Sequence, residues 1–85
     1  MLSKVLYVLT STFINRYGGA ETIVHAVNEK YEKLSDMAYS IAENYMLDQG
    51  FTYRDEIYSG GQANRYYVDG NGNEVNMQIT KVWTR

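Results

Sequence analysis

The spacing of apolar positions changes along this chain, and the changes divide it into elements. Val5, Leu6, Tyr7, Val8 and Leu9 form a nearly continuous apolar run inside Lys4 to Ile14, the pattern of a central strand covered on both faces. Asn15-Arg16-Tyr17-Gly18-Gly19 breaks it as a turn, because glycine adopts positive φ cheaply. Thr22 to Val27 predicts a second, short strand returning antiparallel; its weak alternation leaves a helix open as the other reading. Tyr31, Leu34, Ala38, Ile41 and Tyr45 then recur at intervals of three and four, which places them on one helical stripe of about 100°. Met37 and Ala42 flank the stripe. The predicted helix starts near Asn28 or Ser35, either of which can cap it, and it runs to Gln49. Gly50 supplies the left-handed stop.

Beyond Gly50 the period falls to about two. Thr52 to Tyr58 predicts a strand, Ser59-Gly60-Gly61-Gln62 a turn, and Arg65 to Val68 another strand. Asp69-Gly70-Asn71-Gly72-Asn73 is a hairpin signal, since Asp-Gly and Asn-Gly suit type I′ geometry. The last strand runs from Glu74 to about Thr84, with Val75, Met77, Ile79 and Trp83 on one face and Glu74, Asn76, Gln78 and Thr80 on the other. The order is β-β-α-β-β-β, or ββαββ without the weak third strand. This is an α+β fold: a mostly antiparallel sheet of four or five strands with one amphipathic helix on one face. Residues 1–85 are expected to form a single domain.

Composition narrows the functional classes. An apolar fraction of 45% and a charged fraction of 21% place the chain among globular domains. It has no cysteine, which excludes disulfides and thiolate metal sites and points to a reducing, cytoplasmic compartment. A net charge of −2 weighs against non-specific binding to nucleic acid or an anionic membrane. The apolar start does not read as a signal peptide, because Thr10, Ser11 and Thr12 break it and no small-residue cleavage site follows.

The residues that could carry chemistry mostly read as structure. Asp69 to Asn73 alternates oxygen ligands like a calcium loop, but Glu74 and Thr80 stand where glycine and a bidentate glutamate are required. His25 is the sole histidine; it cannot build a zinc site alone, and no nucleophile stands in a recognisable arrangement with it. Gly18-Gly19 and Gly60-Gly61 lack the framework of a phosphate loop. Asp55 and Glu56 are adjacent on a strand and point to opposite faces. No cofactor, no metal and no catalysis are expected.

Tyrosine stands out, with nine among 85 residues. Its ring offers rigid contact area with one polar tip, which suits binding surfaces. Tyr66 and Tyr67 are successive on a strand, so one of them must face away from the helix, joined there by one of Tyr53 or Tyr58. On the helix, Glu29, Glu32, Asp36 and Glu43 form an acidic ridge opposite the apolar stripe. The expected function is a non-enzymatic protein-binding module, with Tyr53, Tyr58, Tyr66 and Tyr67 as anchors and Glu32, Asp36 and Glu43 steering approach. One alternative is base stacking on the open sheet face beside Arg54, Arg65, Lys81 and Arg85. Outside residues 28–49, however, six basic residues meet five acidic ones, which is thin for a phosphate binder. Another alternative is a homodimer through the bare face or an edge strand.

In composition and layout, with a strand opening like Lys4-Val5-Leu6-Tyr7-Val8 and a close like Tyr66-Tyr67-Val68-Asp69-Gly70-Asn71-Gly72-Asn73-Glu74-Val75, the chain resembles small phage- or prophage-encoded accessory proteins, anti-CRISPR and other anti-defence inhibitors among them. The resemblance implies a protein that blocks a host macromolecule, such as a nucleic-acid-binding enzyme or a defence complex. It assigns no residue a role.

Overall fold

The computed structural model describes residues 4–84. Five strands, β1 (Lys4–Ile14), β2 (Ala20–Asn28), β3 (Thr52–Ser59), β4 (Gln62–Val68) and β5 (Glu74–Thr84), and one helix, α1 (Tyr31–Gln49), make up the fold. The strands form one antiparallel sheet in the order β2-β1-β5-β4-β3. The weak third strand is therefore real, and the fold is α+β with the helix on one face. No helix among the described residues is long and apolar enough to cross a membrane.

Alternation along the two long central strands builds the core. Leu9 pairs with Ile79 and Phe13 with Val75 across β1 and β5, and all four point at the helix. Leu34, Ala38 and Ala42, one turn apart on α1, meet them, with Phe51 and Tyr67 closing the cluster. Alanine at two of the three buried helix positions lets the helix lie close to the sheet. Tyr31, Ile41 and Tyr45 flank that row half-buried, so the expected stripe is the contact face.

The helix begins at Tyr31, nearer Asn28 than Ser35. The Asn28 side-chain oxygen accepts the Lys30 N–H at 2.8 Å just ahead of the first turn. Glu29 consequently lies outside the helix and pairs with Lys4 instead of extending the acidic ridge. Gly50 takes the left-handed conformation (φ 72°), and its N–H and that of Phe51 both reach the Tyr45 carbonyl.

The Asp69–Asn73 turn differs from the expected type I′ geometry. It is a five-residue loop in which Asp69 Oδ1 accepts the N–H groups of Asn71 and Asn73 at 2.8 and 2.9 Å. Asn73 donates its side-chain amide to the other carboxylate oxygen at 2.8 Å. Of the two glycines only Gly72 has positive φ (87°), so side-chain bonds rather than paired glycines make the reversal. The bonds from Asn73 also hold the Asp69 carboxyl below the usual range.

A single helix cannot cover this sheet. Its 19 residues make a rod about 28 Å long and about 10 Å across, whereas five strands spaced about 4.8 Å apart form a broader layer. The helix packs over β1, β2 and β5. This corrects the expectation that β1 is covered on both sides: Leu6 and Val8 alternate onto the far face and remain half-buried. Among the described residues two surfaces stay open, namely the opposite face and the helix side of the edge strand β3, while on β4 Tyr67 is enclosed and Arg65 lies beneath Tyr39 of α1.

Candidate functional site

The helix-side surface of β3 and β4 is where tyrosine collects. Tyr53 and Tyr58 both project there, paired across the ladder with Tyr67 and Ala63. In a regular strand, residues 53 and 58 would point to opposite faces, because their separation is odd. A bulge between Tyr53 and Asp55 absorbs one residue and turns both rings to the same side. Neither joins Tyr66 on the far face, contrary to the expectation from simple alternation. Tyr39 reaches across from α1, while Tyr7 and Tyr31 stand at the end of the shelf in edge-to-face contact, 5.6 Å between centroids.

Arg65 organises the centre. Its guanidinium lies 3.9 Å from the centroid of the Tyr39 ring and donates from Nη2 to Glu56 Oε1 at 3.2 Å. Tyr58 donates its hydroxyl to the same carboxylate oxygen. The Tyr58 hydrogen bond, with Arg65 adding to it against the opposing effect of burial, holds the Glu56 carboxyl below its ordinary range. Conversely, the bond to Glu56 pushes the Tyr58 hydroxyl up to about 12. Burial raises Tyr67, whose ring meets Tyr53 edge-to-face at 5.9 Å, and burial likewise raises Tyr31. Side chains tied in this way lose little freedom on meeting a partner, which is the advantage of a preorganised surface.

The shelf ends in a groove of about 390 Å³ lined by Tyr7, Tyr31, Tyr58, Ile79 and Lys81, with the Gly60-Gly61 turn as its lip. Gly60 has positive φ (59°), as the first central residue of a two-residue hairpin requires. Lys81 stands 5.1 Å from the centroid of the exposed Trp83 ring. Tyr58 (66%), Tyr39 (56%) and Tyr53 (50%) expose half or more of their surface, whereas Tyr67 keeps only 3%. Tyr67 supports the shelf from beneath and cannot touch a partner directly.

The other expected residues lie elsewhere. Tyr66 is on the opposite face, its ring 5.1 Å from the guanidinium carbon of Arg54, which is bonded in turn to Glu74 at 2.7 Å. That face is mostly amide and hydroxyl at its centre: Asn64 Oδ1 accepts from Gln78 Nε2 at 2.9 Å and from Asn76 Nδ2 at 3.4 Å. Glu32, Asp36 and Glu43 are exposed on α1, away from the sheet. Asp55 and Glu56 do point to opposite faces, paired with Tyr66 and Arg65 respectively.

One pairing was illegible in the sequence. Ser11 Oγ and His25 Nε2 are 2.7 Å apart, brought together by the β1–β2 ladder and its irregularity near Leu9 and Thr10. Ser11 is 2% exposed, so no substrate reaches its hydroxyl, and the contact serves to satisfy a buried polar group. Among the described residues no three His, Cys, Asp or Glu side chains gather as a metal site. Comparison with known proteins finds no matching family model, no matching curated protein and no matching solved structure.

Proposed function

We propose that this chain is a protein-binding module that acts without catalysis, by occluding a partner's surface through the tyrosine shelf. The observation that carries the reading is the row of exposed rings along the border of α1 and β3: Tyr39 and Tyr58 in contact with the Arg65–Glu56 pair, and Tyr53 packed on Tyr67. Tyrosine and arginine are the residues enriched at binding hot spots. Glu32, Asp36 and Glu43 on the neighbouring helix add a negative field that steers a basic partner and weakens with salt. The likeness in composition and layout to small phage-encoded inhibitors favours a host or defence enzyme, working in the cytoplasm, as that partner. Nucleic acid fits less well, since Arg54 and Arg65 are already bonded to Glu74 and Glu56, and Arg85 lies outside the described residues.

The test is capture from a lysate of the cells in which the chain functions. Tyr53→Ala with Tyr58→Ala should abolish capture of a saturable partner, while Tyr66→Ala on the far face leaves it unchanged. Retention of the same partner by the double variant, or its loss with Tyr66→Ala alone, would sink the assignment to the shelf. Circular dichroism on each variant separates lost binding from lost fold.

A further inference from the structure

The two edges of the sheet are built differently. At one edge β3 carries Arg54, Asp55 and Glu56 in succession and is bulged beside them. Charges and bulges are the devices that keep an edge strand from pairing with another chain. At the other edge β2 runs nine residues, Ala20–Asn28, with no proline, no lysine and Glu21 as its single charged side chain apart from His25. Its β-branched residues stand out on both sides: Ile23 is 46% exposed, and Val24 and Val27 on the far face are 64% and 53% exposed. On that face Val27 pairs with Val8 of β1, and Leu6 pairs with Val82 of β5, so an aliphatic strip continues from the sheet out to the edge. The irregularity of β2 does not guard it, because the His25 ring beside that irregularity bonds inward to Ser11.

We propose that β2 pairs antiparallel with β2 of a second copy, joining two sheets into one about a twofold axis. Pairing about the middle of the strand sets Val24 against Val24 and Ile23 against His25; past the extra residue at His25, Val27 meets Thr22 on the far face and Glu21 meets Asn28 on the helix face. The lone carboxylates therefore stay apart, and β-branched residues meet directly, the favourable cross-strand combination. The arrangement closes on itself. The other way to join edges, β2 on β3, is head-to-tail and would propagate into fibres, and the three charges of β3 oppose it.

The absence of cysteine makes the test direct. Facing residues of an antiparallel pair have Cα atoms about 4.5–5.5 Å apart, a separation a disulfide can span. Sedimentation of the unmodified chain should give twice the monomer mass. Val24→Cys should form a covalent dimer on mild oxidation, and Ile57→Cys on β3 should not. Val24→Lys opposes two ammonium groups at an exposed site and should raise the dimer dissociation constant about tenfold or more, with circular dichroism unchanged. A monomer mass across the whole concentration range overturns the proposal, as does a dimer that Val24→Lys leaves intact or that crosslinks through Ile57→Cys. The tyrosine shelf is on the opposite side of the sheet from this edge, so partner capture by Val24→Lys should match that of the unmodified chain.

Discussion

Glu56 accepts two hydrogen bonds at one oxygen, from the hydroxyl of Tyr58 and the guanidinium of Arg65. Both stabilise its charged form, and the bond to Tyr58 stabilises the neutral phenol in return. The two shifts act at opposite ends of the pH scale. Tyr58 has its folded pKa raised, so its contribution is complete below 10.0, the ordinary value, and is lost as pH rises through about 12. Glu56 has its folded pKa lowered, so its contribution is present above the ordinary carboxylate value and is lost as pH falls through the depressed one. Replacing Glu56 with Gln should return the Tyr58 hydroxyl towards 10.0. Spectrophotometric titration of phenolate checks this: Tyr31 and Tyr67 are raised as well, so the late-titrating amplitude of the unmodified chain should fall by one tyrosine in Glu56→Gln. An unchanged late component would show that Glu56 does not hold Tyr58.

At the scale of the element, the end of α1 is decided by one backbone conformation. Gly50 has φ 72°, and a Cβ built on it would meet nothing within 4 Å. Gly50→Ala therefore introduces no clash, and its cost is conformational alone, about 1–2 kcal/mol for an L-residue held in the left-handed region. Thermal or denaturant unfolding measures it; a cost near zero would mean the last turn unwinds without loss. The β3 bulge is the other element-scale device. Without it Tyr53 and Tyr58 would lie on different faces, and the shelf would lose one of its exposed rings.

For the whole molecule, the governing fact is the mismatch between one helix and five strands. It leaves Tyr39, Tyr53, Tyr58 and the turn residue Tyr17 open to solvent, while Tyr67 is enclosed. Mild nitration or acetylation, read by peptide mass spectrometry, should modify those four first and Tyr67 last, after unfolding begins. Early modification of Tyr67 would contradict the packing of Arg65 and the core around it. The pattern also distinguishes the two uncovered surfaces, because the far face presents Tyr66 alone among the tyrosines, half-buried in contact with Arg54.

Local order was legible because it depends on local spacing. The period of the apolar residues marked β1, β5 and the helix face, and Gly50 marked the helix stop, since each reflects backbone geometry within a few residues. The acidic residues of α1 were placed correctly for the same reason, apart from Glu29, which a helix starting two residues later excluded. What required tertiary structure was anything depending on register between strands. The bulge that puts Tyr53 beside Tyr58, the meeting of Ser11 with His25, and the Arg65–Glu56–Tyr58 cluster all arise from pairing across the ladder, and a slip of one residue reverses the face of every side chain. The sequence by itself marked the helix, the long strands and the fact that one helix could cover only one side, while the second strand and the weak third one stayed open until the ladder paired them. Only the folded sheet decided which tyrosines share a surface and which edge was left without charges, because those depend on how distant segments align.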